Sequence, residues 1–457
     1  MKDVTFDDQV LSIDGVPALI QAGTLHYFRL PHPGLWSPVL ERMRMAGLNA
    51  VMVPFPWAYH SPAAGLYDFT GPRDLARLLD EVEQMGLWLV VHLGPWIGAG
   101  LDAGGVPMWC RRIPGFVPRC ESDVPAGPSF AFLRYVREWW ERLLPYFLER
   151  SNLLLFMLDS GPCVTGPLPR YVMPLAKLAR ELGMDVPCVA PVLPMKTGIV
   201  SAPPDERIAP LLWARLNAVS GTVSLPSSVA AVDVSINPEM NWNSDTREHR
   251  MRLLGAEYPR EAMAGVLGSG VGVYTLSPAH TGVTWGYWRM ASHCTLYGMG
   301  SPIQEGGIAS SSYFAARRLA FSAETLGQAF TTKQTGPMVY ASNAQYLKAA
   351  RTSASATAVF LSSAQVGAGE TRVSLALGDE MLATEPVSLP DSAVRVLPLN
   401  WQVAGGRLLT TTLEPVLCMT VAGRRLLVLA NESGGNLLFS DDFRSRHARG
   451  PVRTQRT

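Results

Sequence analysis

Charge is scarce in this chain, and what there is nearly cancels. Of 457 residues 17% are charged, with 39 Lys and Arg against 38 Asp and Glu. A formal +1 offers no broad field to nucleic acid or to an anionic membrane surface, so neither is expected as a partner and a neutral ligand suits the balance better. Long apolar runs are missing as well. Leu87 to Leu93 and Leu153 to Leu158 are strand-sized, well short of the roughly 20 residues that span a bilayer. Met1 to Ile20 carries Asp3, Asp7 and Asp8, where a secretory signal needs a basic start and an apolar core; export is not expected, and the cytoplasm is the expected compartment. There are six cysteines, Cys110, Cys120, Cys163, Cys188, Cys294 and Cys418, with no C-x-x-C pair and no zinc spacing. They read as mostly buried thiols in a reducing compartment, with a Cys110 to Cys120 loop disulfide as the alternative.

Nucleotide and metal motifs are absent too. No G-x-G-x-x-G opens a helix after a strand, no Walker phosphate loop and no H-E-x-x-H helix occurs, and the glycine-rich Gly265 to Val273 leads into a strand and so makes a poor phosphate cradle. The histidines are scattered. No cofactor and no metal is expected.

What the chain does have is apolar content, 47%, and length enough for a barrel of about 250 residues plus a smaller domain. Ala18 to Gln21, Ala50 to Pro54, Leu87 to Leu93, Leu153 to Leu158, Val186 to Pro191, Val229 to Ile236 and Val271 to Leu276 read as buried strands. Helix-period segments lie between several of them: Trp36 to Met45, Arg73 to Met85, Phe130 to Arg150 and Leu175 to Leu182. Repeated strand-helix units imply a parallel, helix-covered sheet. One further strand is placed between Ile208 and Leu225 by the need to close a barrel. After about Thr325 the helical spacing fades, and Tyr346 to Leu361, Thr371 to Leu377, Val394 to Leu399, Arg407 to Leu413 and Arg425 to Ala430 alternate between turn residues as antiparallel strands do. Arg444 to Thr457 is basic and without apolar period, a tail expected to fray.

Four blocks carry a family resemblance: GTLHYFRLP at Gly23 to Pro31, the stretch from Gly47 to Phe69, the stretch from Gly86 to Trp109, and GVGVYTLSPAHTGVTWGYW at Gly270 to Trp288. In this order they resemble the barrel blocks of glycoside hydrolase family 35, the retaining β-galactosidases, over roughly residues 10 to 325. The resemblance implies an α/β fold, a (β/α)8 TIM barrel over residues 1–325 with a smaller antiparallel all-β domain over 326–443; the basic, flexible tail over 444–457 is read from its composition. It also implies a small-molecule or carbohydrate-like ligand at the carboxyl ends of the barrel strands. The oligomeric state is left open.

Retaining hydrolysis needs two carboxyl groups about 5 to 5.5 Å apart, one attacking the anomeric carbon and one donating a proton to the leaving oxygen. The family's strand-four motif, roughly Gln-x-Glu-Asn-Glu-Tyr-Gly, lines up with Met157 to Cys163, so that Gly161 stands in place of the acid/base Glu and Ser160 in place of its Asn neighbour. SINPEMNW, Ser235 to Trp242, resembles the nucleophile segment and puts Glu239 at the nucleophile position; the alternative is a solvated Glu on a loop after Pro238. Other family positions change on the same face. Pro54 replaces a sugar-contacting Tyr, Gly100 replaces the Glu of Cys-Ala-Glu, and Asn241 and Met299 replace tyrosines, while Tyr274 is kept. His26, Tyr27, Arg29, the Tyr67-Asp68-Phe69 turn, Gly104, Gly105, Glu305 and Gly306 match the pattern and read as scaffold.

Asp159 is a weak substitute acid/base. It precedes Gly161 by two residues, about 6.5 Å along a strand, whereas proton transfer works over about 2.6 to 3.2 Å. His280, Asp102 and His92 are other titratable residues at predicted strand ends, each of a kind that more often serves a loop or core. Trp57, Trp96, Trp285 and Trp288 are candidates to line an apolar pocket, against the bland reading of core tryptophans. The expected function is a β-galactosidase-like barrel protein with a degenerate active site, a pseudoenzyme that binds a sugar-like or polyhydroxylated ligand without ordinary retaining hydrolysis. The alternative is a repurposed enzyme using Glu239, with Asp159, for acid/base chemistry on a non-standard substrate, or a residual glycoside hydrolase.

Overall fold

The computed structural model describes residues 2–7, 10–116, 129–159, 168–192, 211–217, 229–235, 255–284, 296–298, 300–332, 338–364, 366–403, 406–430, 435–439 and 452–456. The chain opens with a small antiparallel sheet, β1 (Val4–Asp7), β2 (Val10–Ile13) and β3 (Val16–Ala18), which the sequence reading did not anticipate. Eight strands then close a barrel: β4 (Ile20–Thr24), β5 (Ala50–Pro54), β6 (Trp88–Gly94), β7 (Leu153–Leu158), β8 (Cys188–Val192), β9 (Leu211–Asn217), β10 (Val229–Ser235) and β11 (Val273–Ser277). Every neighbouring pair is parallel, and β11 pairs with β4 to complete the ring. The sixth strand, inferred only from closure, is β9. The remaining expected strands are displaced by two residues or fewer at most ends, since their runs of apolar residues continue into the adjoining loops.

Helices cover the barrel. They are α1 (Trp36–Met45), the short α2 (Trp57–His60), α3 (Leu75–Gln84), α4 (Phe130–Leu143), α5 (Leu168–Glu181), α6 (Tyr258–Ser269) and α7 (Ser311–Thr325). The expected helix to Arg150 stops earlier: α4 passes at Leu144–Tyr146 into a tight turn that contains Pro145, a residue without the N–H an α-helix would use. The fifth helix runs longer than its apolar period suggested, with Pro174 accommodated inside it. Side-chain alternation sorts the barrel into two cores. Ile20, Ala22, Met52, Val90, Met157 and Val273 meet inside, joined at the bottom by Val4 and Leu11 of the N-terminal sheet, while Val51, Val53, Val91, Tyr274 and Leu276 face the helical layer.

Past α7 the chain forms small antiparallel sheets. Thr357–Ser362 is central to one, between Leu347–Thr352 and Val394–Leu399; the expected single segment Tyr346 to Leu361 is thus two strands around a turn at Ser353–Ala356. Val359, Leu361, Val373, Leu375, Leu397 and Leu399 build a separate core. The basic tail is a correction. Val452–Arg456 is a strand, paired in parallel with Gly435–Phe439, because a parallel edge recruits backbone N–H and C=O groups and asks little of side-chain pattern.

Barrel and β-sheets meet through α6. A Cβ on Gly268 would lie 2.1 Å from the Cβ of Ala349, so the absence of a side chain lets helix and strand touch. Beside it Lys348 pairs with the buried Glu261, the two side chains 7% and 9% exposed. Gly268→Ala is therefore expected to cost about 1–3 kcal/mol through overpacking, read as a lower denaturation midpoint with an unchanged slope. An unchanged midpoint would mean that this contact does not hold the two parts together.

Candidate functional site at the barrel mouth

The mouth is built by loops that leave the carboxyl ends of the strands, and a buried arginine ties three of them. Arg29 follows β4 and is 1% exposed. Its Nε–H donates to Thr284 Oγ at 2.8 Å, another guanidinium nitrogen donates to the Ala99 carbonyl after β6, and the guanidinium lies 3.7 Å from the centre of the Tyr297 ring. Gly282 allows this approach, since a Cβ there would come within 2.7 Å of the Arg29 Cβ. The loop after β6 is strongly bent: Gly98, Ala99, Gly100, Ala103, Gly104 and Gly105 all have positive φ. Ala99 and Ala103 bear a Cβ in that region, a strain of order 1 kcal/mol each that the surrounding contacts must offset.

Two buried imidazoles are fixed in the neutral state by what surrounds them. His280, after β11, receives the His26 backbone N–H on Nε2 at 2.9 Å and donates from Nδ1 to the Thr281 carbonyl at 2.7 Å. A backbone N–H can only donate and a carbonyl can only accept, so Nε2 carries no proton. Burial, with Arg29 adding to it, lowers the His280 pKa to about 4. His60 donates from Nδ1 to the Asp68 carbonyl at 2.9 Å and accepts from the Tyr27 hydroxyl; burial lowers it to about 3. The Tyr27 phenol in turn is raised by burial. His26, Tyr27, Arg29 and the turn at Asp68 thus act as scaffold, the role their sequence pattern suggested.

The proposed site residues fare differently. Asp159 stands at the end of β7, fully buried, with φ of 59° and its N–H donating to the Gly94 carbonyl at 3.0 Å. The strand therefore breaks into a left-handed turn that Asp tolerates better than most residues. His92 is buried on β6 two residues before Gly94, and Asp102 is a partly exposed loop carboxylate 3.7 Å from Arg111. A cleft between the loops after β5 and β6 is lined by Ala58, Ser61, Asp102, Val106, Met108 and Trp109. Glu239, Gly161, Trp285, Trp288, Asn241 and Met299 lie outside the described residues.

Two aromatic assignments need correction. Tyr274 does not face the mouth: it sits in the outer core, and its hydroxyl donates to Gln21 Oε1 at 2.8 Å, while the Gln21 amide reaches the Ala320 carbonyl of α7. On a strand a one-residue change of parity moves a side chain from the barrel interior to the helical layer, and a resemblance alone did not reveal the parity. Gln21, a polar residue within an apolar strand, was the signal passed over. Trp57 is fully buried and stacks on Trp139 of α4 with ring planes 8° apart, which removes it from any ligand surface. Trp96 is partly buried, and a Cβ on Gly104 would fall 2.2 Å from its ring, so it packs against its own loop. Cys110 and Cys188 are buried free thiols and Cys418 is a partly buried one; the Cys110 loop disulfide is not formed. Among the described residues no group of three or more His, Cys, Asp or Glu could hold a metal ion, and no helix is long and apolar enough to cross a membrane.

An eight-stranded parallel barrel with helices outside it and polar loops at the carboxyl ends of its strands is the architecture of a TIM barrel. Residues 10–165 match the model of glycosyl hydrolases family 35. It is 41% identical over 133 residues to the beta-galactosidase-1-like protein of Mus musculus, covering 29% of this chain and 19% of that protein. It is 36% identical over 152 residues to the beta-galactosidase of Mus musculus, covering 33% and 22%, and 28% identical over 185 residues to beta-galactosidase 11 of Arabidopsis thaliana, covering 40% and 20%. The matched segments thus span about a fifth of the length of these relatives. Among solved structures, the E323A catalytic mutant of a GH42 beta-galactosidase from G. stearothermophilus is similar with a TM-score of 0.46 at 11% identity, covering 70% of this chain and 58% of that one.

Acid is expected to loosen this mouth. The folded-state pKa of His280 is depressed, so the unfolded chain binds more protons below the ordinary imidazole value. The stability it contributes is complete above about 6.5 and is lost as pH falls toward about 4. His60 acts in the same direction down to about 3. For His280 the loss amounts to roughly 3 kcal/mol. Urea unfolding at pH 7 and pH 4.5, in wild type and His280→Asn, checks this: the variant should lose less on acidification, and equal losses would contradict it. Separately, Tyr274→Phe should cost about 1–3 kcal/mol by leaving Gln21 short of a donor, with ligand affinity unchanged; a loss of affinity without loss of stability would return Tyr274 to the mouth.

Proposed function

We propose that the mouth of this β-galactosidase-like barrel binds a sugar-like, polyhydroxylated ligand without ordinary retaining hydrolysis. One observation carries the reading: the end of β7, where a retaining barrel needs its proton donor, offers Asp159, a buried residue turned into a left-handed conformation and tied through its backbone to Gly94. Two residues on, the position matching the family's acid/base Glu is Gly161. Without a donor, departure of an unactivated alkoxide lacks general-acid assistance, which is worth about 10²- to 10⁴-fold. Glu239 at the nucleophile position is then free to serve as a hydrogen-bond acceptor for ligand hydroxyls. The names of the curated relatives favour a β-galactoside shape for that ligand.

The expected outcome is negligible turnover of lactose and other simple β-galactosides by the full chain. Aryl galactosides with good leaving groups, which need little protonation, should lose least. Calorimetry across a panel of glycosides should find a binder whose affinity falls by about 1–3 kcal/mol in Glu239→Gln. Robust lactose hydrolysis that Glu239→Gln abolishes would overturn the proposal. The repurposed-enzyme reading rests on Asp159, a carboxylate that the described residues place at the end of β7. It predicts instead a substrate whose turnover, and not whose binding, disappears in both Glu239→Gln and Asp159→Asn.

A further inference from the structure

The joint between α6, α7 and the β-sheets holds an unbalanced cluster of charge. Glu414, fully buried at the start of the strand Glu414–Val421, is met by three arginines. Arg260 of α6 reaches one carboxylate oxygen, Arg318 of α7 the other, and Arg395 of the strand Val394–Leu399 lies 3.6 Å from the second. The Val396 N–H adds a donor at 2.9 Å. Among the described residues a further carboxylate acting on the cluster is Glu257, 3.3 Å from Arg260, with its side chain 32% exposed. Among the described residues three guanidinium groups therefore face two carboxylates, and one of those two is partly hydrated.

Two donors in the cluster are unspent. The Nε–H groups of Arg260 and Arg395 are buried and have no hydrogen-bond partner among the described residues, and the residues themselves are 2% and 5% exposed. Buried donors of a charged group are ordinarily satisfied. Arg318, its side chain 27% exposed, is the one guanidinium through which solvent reaches the cluster. A surplus positive charge, unspent donors beside it and an opening to solvent are together what a small anion needs, and arginine is the side chain best shaped to hold one.

We propose that this joint binds one small monovalent inorganic anion, held by Arg318 and Arg395 beside Glu414, which neutralises the surplus charge and locks the β-sheets to the barrel. The site is separate from the barrel mouth and independent of the ligand proposed there. The test is thermal unfolding of the full chain in chloride, titrated against a bulky organic anion at constant ionic strength so that screening does not change. Wild type should show a saturable rise of about 1–3 °C. Arg395→Met, which removes the surplus cation and leaves Glu414 with two partners, should show a flat response. The same chloride dependence in both proteins, or none in wild type, would overturn the proposal. Should Arg395→Met fail to fold, bromide-soaked crystals of wild type decide: an anomalous peak at hydrogen-bond distance from Arg318 or Arg395 supports the site, and a position occupied by water alone refutes it.

Discussion

The barrel mouth depends on Arg29. A guanidinium removed from water has to replace its hydration with protein groups, and Arg29 does so by drawing in the Thr284 hydroxyl, the Ala99 carbonyl and the face of the Tyr297 ring. Those partners lie after β6 and after β11 while Arg29 itself follows β4, so satisfying one charge fixes the spacing of three strand ends at once. Much of the local backbone follows from this. Gly282 must lack a side chain to let Arg29 past, and Ala99 is held at positive φ while its carbonyl serves the guanidinium. His280 completes the arrangement from the other side, because its unprotonated Nε2 receives the His26 N–H next to the same turn. The described mouth is a frame of neutral imidazole and buried cation.

That frame separates scaffold from chemistry. Residues matching the family pattern hold loops, whereas the proposed reading puts Gly161, which has no carboxyl group, where a proton donor would stand. On the proposed reading, with Glu239 at the nucleophile position and no matched acid, a preorganised mouth would recognise a sugar without cleaving it, since affinity gains from preorganisation whether or not bond breaking is assisted. Asp159 does not restore the balance easily. Its backbone is committed to Gly94, and moving its carboxyl outward would require the left-handed turn to unwind.

The barrel was legible because its strands are apolar on both faces and its helices amphipathic: Ala50–Pro54 and Trp36–Met45 fall at the expected bounds. β9 was not, because LLWARLN carries Arg215 and Asn217 among its apolar residues, and only closure of the ring called for it. Side-chain direction was the harder matter. Tyr274 and Trp57 are residues of the right type in the right loops and strands, yet one faces the helices and the other stacks on Trp139. Parity along a strand and depth in a loop are set by tertiary packing, which a motif match does not carry. The Glu414 cluster was invisible for a related reason: its members come from four elements spread from residue 260 to residue 414, and nothing in their local patterns ties them together. The strand at Val452–Arg456 is held by backbone pairing, which leaves little trace in composition.

The central claim is that a sugar-like ligand is held at this mouth and left intact. The most direct measurement is a crystal structure of the wild-type chain soaked with an aryl β-galactoside bearing a good leaving group, the substrate most forgiving of a missing acid. The claim predicts an intact glycoside at the carboxyl ends of the barrel strands, with its hydroxyls within hydrogen-bond reach of Glu239. A galactosyl group covalently bound to Glu239, or free galactose in the mouth, would contradict it and make the chain a working retaining hydrolase.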